Sequence, residues 1–380
     1  MRKVSIIQRE IPHYRIRFFE ELYAQGRLQD LDIQVCSGAP PARTTSSIAF
    51  PYQVLSVRRF GTMNSSSFWM YELEKAIAGS DIVVAPQELQ CLTVPYLWAK
   101  RRRICSSWIW WGHGYNFQAS VRPSPMMQIK ESIKRFMTRR ADGLITYTEG
   151  GADYWRKQGL PKDWVTPYYN TIDVEELRKA RADITEQQLI DMRRKLGVEG
   201  KRVLLFSGRL YPEKNVDFLL KAFALMKNIY PDVALLIIGD GEERRKLERL
   251  TTELNLHDVH FLGELVEAKD TAVYFSLADL MVLPSLVGLA IVHGFAFGLP
   301  LHTTDSPGHG PELDYLSGKN GIMTKHDVVQ YAEAIASLLF SPHKLNAMKQ
   351  AAMAQGDELH LPHSARRFVS GIRSFATKHS

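Results

Sequence analysis

The chain has 380 residues, of which 45% are hydrophobic and 23% are charged. This is the composition of a globular protein with about two domains, and it excludes the disordered and fibrous classes. The cysteines Cys36, Cys91 and Cys105 are odd in number and scattered, so neither a disulfide framework nor a zinc site is expected. A reducing, cytoplasmic setting fits best.

The net charge of +7 comes from the first half of the chain. Residues 1–170 hold 23 Lys and Arg against 14 Asp and Glu, whereas the remainder holds 25 against 27. The first half is therefore expected to meet an anionic partner. No apolar run reaches the roughly eighteen residues of a membrane helix, and Val4–Ile7 is too short for a signal-peptide core. We expect a protein that is soluble or lies on a surface.

The first half alternates predicted strands with predicted helices. The strands are the apolar runs Lys3–Ile7, Leu31–Ser37, Asp81–Ala85, Ser107–Trp111, Gly143–Tyr147 and Val165–Asp173. The helices are Arg15–Tyr23, Leu89–Arg101, Met126–Thr138 and Gly151–Gln158. This rhythm predicts a doubly wound parallel sheet with helices on both faces, and a first domain that covers residues 1–172.

The second half repeats the same α/β pattern, after a charged and helix-prone stretch over Val174–Leu196. Its predicted strands are Val203–Ser207, Ala234–Ile238, Val259–Leu262, Leu280–Leu283 and Leu301–Thr303, and its helices include Val216–Ile229, Glu242–Leu254 and Asp327–Phe340. We assign residues 173–363 to a second domain. Residues 364–380 are predicted to form a terminal helix that packs back on the first domain. Two such domains would face each other across a cleft.

The stretch Val203–Lys214 is the first candidate site. Gly208 permits a tight turn after the strand, and Arg209 and Lys214 follow just beyond the strand's carboxyl end. Ligands bind at that end of open α/β sheets. A planar guanidinium and a point-charge ammonium together suit a phosphate or diphosphate.

A second candidate site follows Leu280–Leu283. Gly288 and Leu289 are predicted to open a helix whose free amides would form an anion site, with His293 about one turn into that helix. Glu312 is predicted to begin another helix nearby. In the first half, His113 lies between two glycines at a strand end, a place with little structural use for histidine.

Several enzyme classes lack their motifs here. The sequence has no G-x-G-x-x-G and no G-x-x-x-x-G-K-[ST], which argues against a nicotinamide dehydrogenase and a P-loop kinase. It has no G-x-S-x-G nucleophile elbow and no residue cluster with metal-ligand spacing.

The order of motifs nevertheless resembles glycosyltransferase family 4, the retaining GT-B sugar transferases. GRLYPEKN is followed by Gly239-Asp240-Gly241, then by PSLVGLAIVHGFAFGLP and HGPELDYLSGKNG. The resemblance is strong over about residues 200–325 and weaker at IPHYRIRFFEEL, WWGHG and PYYNTID. It implies a GT-B fold, in which two Rossmann-like domains face a central cleft.

The resemblance also implies residue roles. Arg209 and Lys214 would hold the donor diphosphate and offset charge on the leaving group, with Gly208 also on the donor side. Gly288 and Leu289 would offer backbone amides to the sugar or the phosphate, and Glu312 would lie on the ribose or base side. His113 would face the transferred sugar, and the loop with His13 and Arg15 would lie nearest the acceptor. No metal or other cofactor would be needed.

One departure from the family pattern concerns two carboxylates. The family usually carries two Glu eight residues apart, whereas this sequence has Ser285 and His293 at those positions. An imidazole can still hydrogen-bond a ribose hydroxyl, but a serine supplies no charge to the transition state. The donor contacts are therefore expected to differ.

Basic residues form two runs in the first half, Lys100–Arg103 and a set within 130–140. The second set alternates with apolar residues at helical spacing, as in helices that lie on anionic lipid, although a solvated helix over the core would show the same pattern. Nucleic acid is a weaker expectation, because no recognition motif accompanies the charge.

Together these features predict an enzyme that moves a sugar from a nucleoside-diphosphate donor to a hydroxyl acceptor. The basic first half indicates a lipid-linked or anionic glycan acceptor, as in bacterial surface-polysaccharide synthesis, at the inner face of the cell membrane. Two alternatives remain open: an inactive nucleotide-sugar-binding protein, and a GT-B nucleotide-sugar epimerase.

Overall fold

The computed structural model describes residues 1–41, 48–61, 67–114 and 125–376. The chain divides into two compact units, Met1–Asp173 together with Leu361–Ser380, and Val174–His360. None of the helices in the described ranges is both long and apolar enough to cross a bilayer.

The first unit is built on a seven-stranded sheet. Its strands are β1 (Arg2–Gln8), β2 (Leu31–Ser37), β3 (Tyr52–Val54), β6 (Ile82–Pro86), β7 (Ser107–Gly112), β8 (Gly143–Thr146) and β9 (Val165–Pro167), and a separate antiparallel pair consists of β4 (Val57–Phe60) and β5 (Ser67–Met70). The helices are α1 (His13–Arg27), α2 (Leu73–Ala76), α3 (Thr93–Ile104), α4 (Pro125–Thr138), α5 (Glu149–Lys157) and the last helix of the chain, α14 (Leu361–Ala376).

The strand order of this sheet locates its ligand-binding edge. All neighbours pair in parallel in the order β3-β2-β1-β6-β7-β8-β9. The chain runs outward from β1 to one side and then returns to β6 on the other side. Ligands of open α/β sheets bind where the strand order reverses in this way. The carboxyl ends of β1 and β6 therefore mark the edge where a site is expected.

The second unit has a six-stranded parallel sheet in the order β12-β11-β10-β13-β14-β15. The strands are β10 (Arg202–Ser207), β11 (Val233–Ile238), β12 (Val259–Gly263), β13 (Leu280–Val282), β14 (Leu301–Thr304) and β15 (Gly321–Thr324). The helices are α6 (Val174–Ala182), α7 (Glu186–Leu196), α8 (Val216–Ile229), α9 (Arg244–Glu253), α10 (Ala268–Leu277), α11 (Ala290–Ala296), α12 (Val328–Leu339) and α13 (Pro342–Glu358). Its strand order reverses between β10 and β13.

Helix α14 is part of the first unit's core although it ends the described chain. Phe368, Ile372 and Phe375 have no exposed surface and belong to the same apolar cluster as residues of the first sheet. A Cβ on Gly143 in β8 would lie 2.2 Å from the ring of Phe375, so only glycine admits the helix this closely. The hydroxyl of Ser364 also donates to the backbone oxygen of Tyr169, at 2.6 Å.

Candidate functional site

Lys214 lies beside the reversal point of the second sheet. It ends a 3₁₀ turn, Pro212–Lys214, that follows β10, and its ammonium donates to the backbone oxygen of Leu286 after β13. The side chain therefore bridges the ends of the two strands that flank the reversal. Burial lowers the pKa of Lys214 to about 8, while the charge of Glu312 acts in the opposite direction.

Arg209 follows β10 and is exposed. Its guanidinium donates to the hydroxyl of Tyr211, 2.8 Å away, and lies 5.9 Å from the centre of the Tyr211 ring. Gly208, just before it, packs near the ammonium of Lys214, since a Cβ there would lie 3.7 Å from Nζ. The two cations and the glycine predicted for the first candidate site are thus gathered at one strand end.

The Gly239-Asp240-Gly241 segment packs against the backbone of the two residues that flank Arg209. Backbone hydrogen bonds join Gly208 to Ile238 and Leu210 to Asp240. A Cβ on Gly239 would lie 2.0 Å from the Gly208 oxygen, and one on Gly241 would lie 2.5 Å from the Leu210 oxygen. The two glycines therefore let one loop support the other at backbone contact.

A tight turn presents two backbone amides next to Lys214. Leu286 and Gly288 both adopt left-handed backbone angles, with φ of 43° and 53°. Helix α11 starts at Ala290, so Gly288 and Leu289 precede it. Neither of their amides has a hydrogen-bond partner among the residues that the structure describes. These amides can donate to an anion bound beside the ammonium.

Glu312 is buried, with 5% of its surface exposed. The prediction that it begins a helix is wrong in type, because Pro311–Tyr315 is a short 3₁₀ turn that starts with proline. A Cβ on Gly310 would lie 2.9 Å from its Oε2 and 3.8 Å from the Cα of Gly288. The carboxylate therefore lies close to the Gly288 turn and to Lys214.

His309 supports this turn and was not identified from the sequence. Its Nδ1 accepts from the amide of Val287 at 3.4 Å, and its Nε2 lies 2.9 Å from the backbone oxygen of Thr304. The two contacts require a neutral ring that carries its proton on Nε2. Burial lowers the pKa of His309 below 6.5, which favours that form. The Gly-His-Gly pattern that drew attention to His113 recurs here, and it was the available signal.

Replacing His309 with alanine should weaken donor binding about tenfold and lower the free energy of unfolding by roughly 1–3 kcal/mol, because the buried Val287 amide loses its acceptor. The stabilisation should be complete above the ordinary histidine pKa of 6.5 and should shrink as the pH falls below it, since the folded state disfavours the cation. Urea unfolding of wild type and His309→Ala at pH 7 and pH 5 measures this loss, which should be larger at pH 7. Equal losses at both pH values would contradict the neutral-ring role.

The two positions that depart from the family pattern face different surroundings. Ser285 is buried and its hydroxyl accepts from that of Ser306 at 3.2 Å. The His293 ring stacks on Phe275 at 4.0 Å, and its Nε2 is buried without a partner in the described part of the chain. Burial lowers the pKa of His293 to about 4. The residue as a whole is half-buried.

In the first unit, Arg15 anchors an aromatic cluster at the ends of β7 and β8. It is buried on α1, donates to the hydroxyl of Tyr147 at 2.6 Å, and lies 4.8 Å from the centre of the Trp111 ring. These contacts fix the guanidinium in place. His13, also expected on the acceptor side, is exposed at the start of α1 and packs edge-on against Tyr14.

His113 lies directly after β7, with its ring 4.2 Å from that of Tyr147 in an edge-on arrangement. His113 is exposed to solvent, although protein atoms surround its ring. Desolvation, together with the charges of Arg15 and Lys134, lowers the pKa of His113, so the imidazole is neutral at pH 7. Glu88, after β6, is a second group that sequence reasoning missed. Desolvation raises the pKa of its carboxyl, while Arg9 and Arg15 act in the opposite direction.

Among the described residues, no group of three or more His, Cys, Asp and Glu side chains could hold a metal ion. At the carboxyl end of β10, the structure brings the cation Lys214 near the carboxylate of Glu312, with Arg209 at the same strand end.

Known proteins are similar to this chain in fold, and some are similar in sequence to part of the second unit. Residues 190–355 match the model of the family described as glycosyl transferases group 1. The crystal structure of Anabaena Alr3699/HepE in complex with UDP is similar, with a TM-score of 0.75 and 18% identity, over 98% of this chain and 100% of that chain. This likeness shows the fold.

Curated relatives match over shorter ranges. The GDP-mannose-dependent alpha-(1-6)-phosphatidylinositol monomannoside mannosyltransferase of Mycolicibacterium smegmatis is 29% identical over 41% of this chain and 44% of its own. Alpha-monoglucosyldiacylglycerol synthase of Streptococcus pneumoniae is 28% identical over 49% of this chain and 42% of its own. The chain spans about half the length of the curated relatives it matches. With two parallel-sheet α/β units, the chain has the GT-B fold, and its residues 190–355 match the model of the group 1 glycosyl transferases.

Proposed function

We propose that the protein is a retaining glycosyltransferase that moves a sugar from a nucleoside-diphosphate donor to a hydroxyl acceptor. The observation that carries the proposal is the arrangement around Lys214. A half-buried ammonium, two amides that have no hydrogen-bond partner among the described residues, and a buried carboxylate lie together at the reversal point of the second sheet. The UDP complex of the structurally similar HepE supports a nucleotide donor.

Each group has a part in the proposed reaction. Arg209, Lys214 and the amides of Gly288 and Leu289 would bind the diphosphate and offset the charge that develops on it. Glu312 would accept hydrogen bonds from ribose hydroxyls. The cations would take the role that a divalent ion has in other transferases, so that no metal is required.

The bond changes balance without a protein nucleophile. The bond from the sugar C1 to the diphosphate oxygen breaks, and the bond from C1 to the acceptor oxygen forms on the same face of the ring. The acceptor proton passes to the departing phosphate oxygen. This front-face route follows from the family resemblance, and the cations and amides beside Lys214 support it, since they can stabilise the departing diphosphate.

We propose a lipid-linked or anionic glycan as acceptor, in the assembly of bacterial surface polysaccharides at the inner face of the membrane. The basic charge of residues 1–170 supports an anionic acceptor. The neutral imidazole of His113 and the nearby hydroxyl of Tyr147 can bind sugar hydroxyls in the first unit.

A panel of UDP-, GDP- and dTDP-sugars tests the function through nucleotide release, with and without a polyprenyl-linked acceptor. We expect release from one donor class, increased by the acceptor, with the α or β configuration of the donor kept in the product. Release from none of the donors would refute the enzyme, and inversion in the product would refute retention.

A nucleotide-sugar-binding protein without turnover is the second candidate. The buried serine at position 285, bonded to Ser306 where the family carries a carboxylate, favours it. Calorimetric titration separates the two, because this candidate predicts donor binding without nucleotide release.

A further inference from the structure

Helix α4 carries a row of exposed apolar side chains. Met126, Ile129, Ile133 and Phe136 recur three or four residues apart, so they share one face of the helix. Their exposed fractions are 62%, 56%, 44% and 50%. Single exposed apolar residues are common on proteins, but a contiguous row of four is typical of a surface that meets a partner.

Cations border this row on two helices that contact each other. Lys130 on α4, Arg140 just after it, and Arg102 and Arg103 at the end of α3 are exposed. The Arg140 guanidinium lies 3.8 Å from the centre of the Phe136 ring. Arg101 of α3 donates to the Arg140 backbone oxygen at 3.0 Å. Lys130 and Arg140 lie on or directly after the helix that carries the apolar row, and Arg102 and Arg103 end the helix that contacts Arg140. We call the apolar row and these four cations together the docking surface.

We propose that the docking surface binds the face of an anionic phospholipid membrane. The apolar row would enter the boundary between headgroups and acyl chains, and the cations would meet lipid phosphates. Nucleic acid would cover the cations but leave the apolar row in water. A second copy of the chain would bring like charges together. The anionic lipid surface matches both parts.

A small pocket of about 10 Å³ lies beside the docking surface. Met137 and Lys134 on the adjoining face of α4 line it, together with Trp110 and Glu88. Binding by the docking surface would hold this pocket, and the His113 site after β7, at the membrane. Membrane binding itself does not depend on the proposed function. The suggestion that the membrane supplies a lipid-linked acceptor to this site does rest on it.

Vesicle sedimentation tests the docking surface with the full chain and no sugar substrate. With equal parts of phosphatidylglycerol and phosphatidylcholine, wild-type protein should bind. The pair Ile129→Ser and Ile133→Ser should weaken binding about tenfold or more, since two apolar anchors are lost. The pair Arg102→Gln and Arg103→Gln should weaken it severalfold at low salt and little at 1 M salt, where the Debye length is about 3 Å.

Matched controls lie on the second unit. The pair Ile190→Ser and Ile229→Ser removes isoleucines exposed by 42% and 45%, and the pair Arg245→Gln and Arg249→Gln removes two exposed arginines. Both should bind vesicles like wild type. Equal losses in control and test pairs, no binding by wild type, or a change in oligomeric state in place of vesicle binding would each overturn the proposal. Vesicle binding without nucleotide release would refute only the proposed function.

Discussion

Replacing Lys214 with alanine is expected to lower kcat/KM about 100- to 1,000-fold, the loss typical of removing one preorganised donor at a developing negative charge. The ammonium is half-buried beside two open amides, so water replaces it poorly. The fold should persist, because a lysine whose pKa is depressed to about 8 gains little from being buried as a cation. Steady-state nucleotide release and circular dichroism check the two statements. An unchanged rate would remove Lys214 from the reaction.

The pH profile tests the same residue in a second way. The cation is the active form, so kcat/KM of wild type should fall as the pH rises through about 8. In Lys214→Arg this fall should disappear, since a guanidinium stays protonated in that range. If kcat/KM of Lys214→Arg still falls near pH 8, the fall is due to the titration of another group.

The buried strands could be predicted from the sequence because their apolar runs are uninterrupted. The predicted runs Val203–Ser207 and Ala234–Ile238 agree with the observed strands Arg202–Ser207 and Val233–Ile238 to within one residue. The missed strands lack this signal. Tyr52–Val54 is exposed and only three residues long, and Gly321–Thr324 is only partly buried, so neighbouring strands and not local pattern decide their conformation.

The sequence predicted which residues lie at the sheet edge, but it did not predict which side chains contact them. Arg209 and Lys214 follow a predicted strand end, so their place at the sheet edge could be predicted. The role of His309 could not be predicted in this way. It depends on a hydrogen bond from the Val287 amide, which lies 22 residues earlier in the chain. The stacking of His293 on Phe275 likewise joins two helices, and the spacing within either helix does not reveal it.

Replacing Gly239 with alanine is expected to lower the free energy of unfolding by about 2–5 kcal/mol and to weaken donor binding tenfold or more. The new Cβ would lie 2.0 Å from the Gly208 backbone oxygen, and the φ of 133° strains a side chain by itself. Relief requires the Arg209 loop to move. Urea unfolding should be followed by far-UV circular dichroism, because all seven tryptophans lie in the first unit and do not report on the second.

Two other glycines separate the clash from the backbone strain. A Cβ on Gly200 would have no atom within 4 Å, but the residue has a φ of 72°. Gly200→Ala should therefore lower the free energy of unfolding by only about 1 kcal/mol. Gly318→Ala meets neither obstacle and should be neutral. If Gly239→Ala costs no more than Gly200→Ala, the close contact with Gly208 is not what requires glycine. If Gly239→Ala lowers the free energy of unfolding more than Gly200→Ala does and also weakens donor binding, the Gly-Asp-Gly segment sets the position of Arg209. That role would account for a glycine motif after the second strand of the unit, because this segment contacts the loop that follows the first strand.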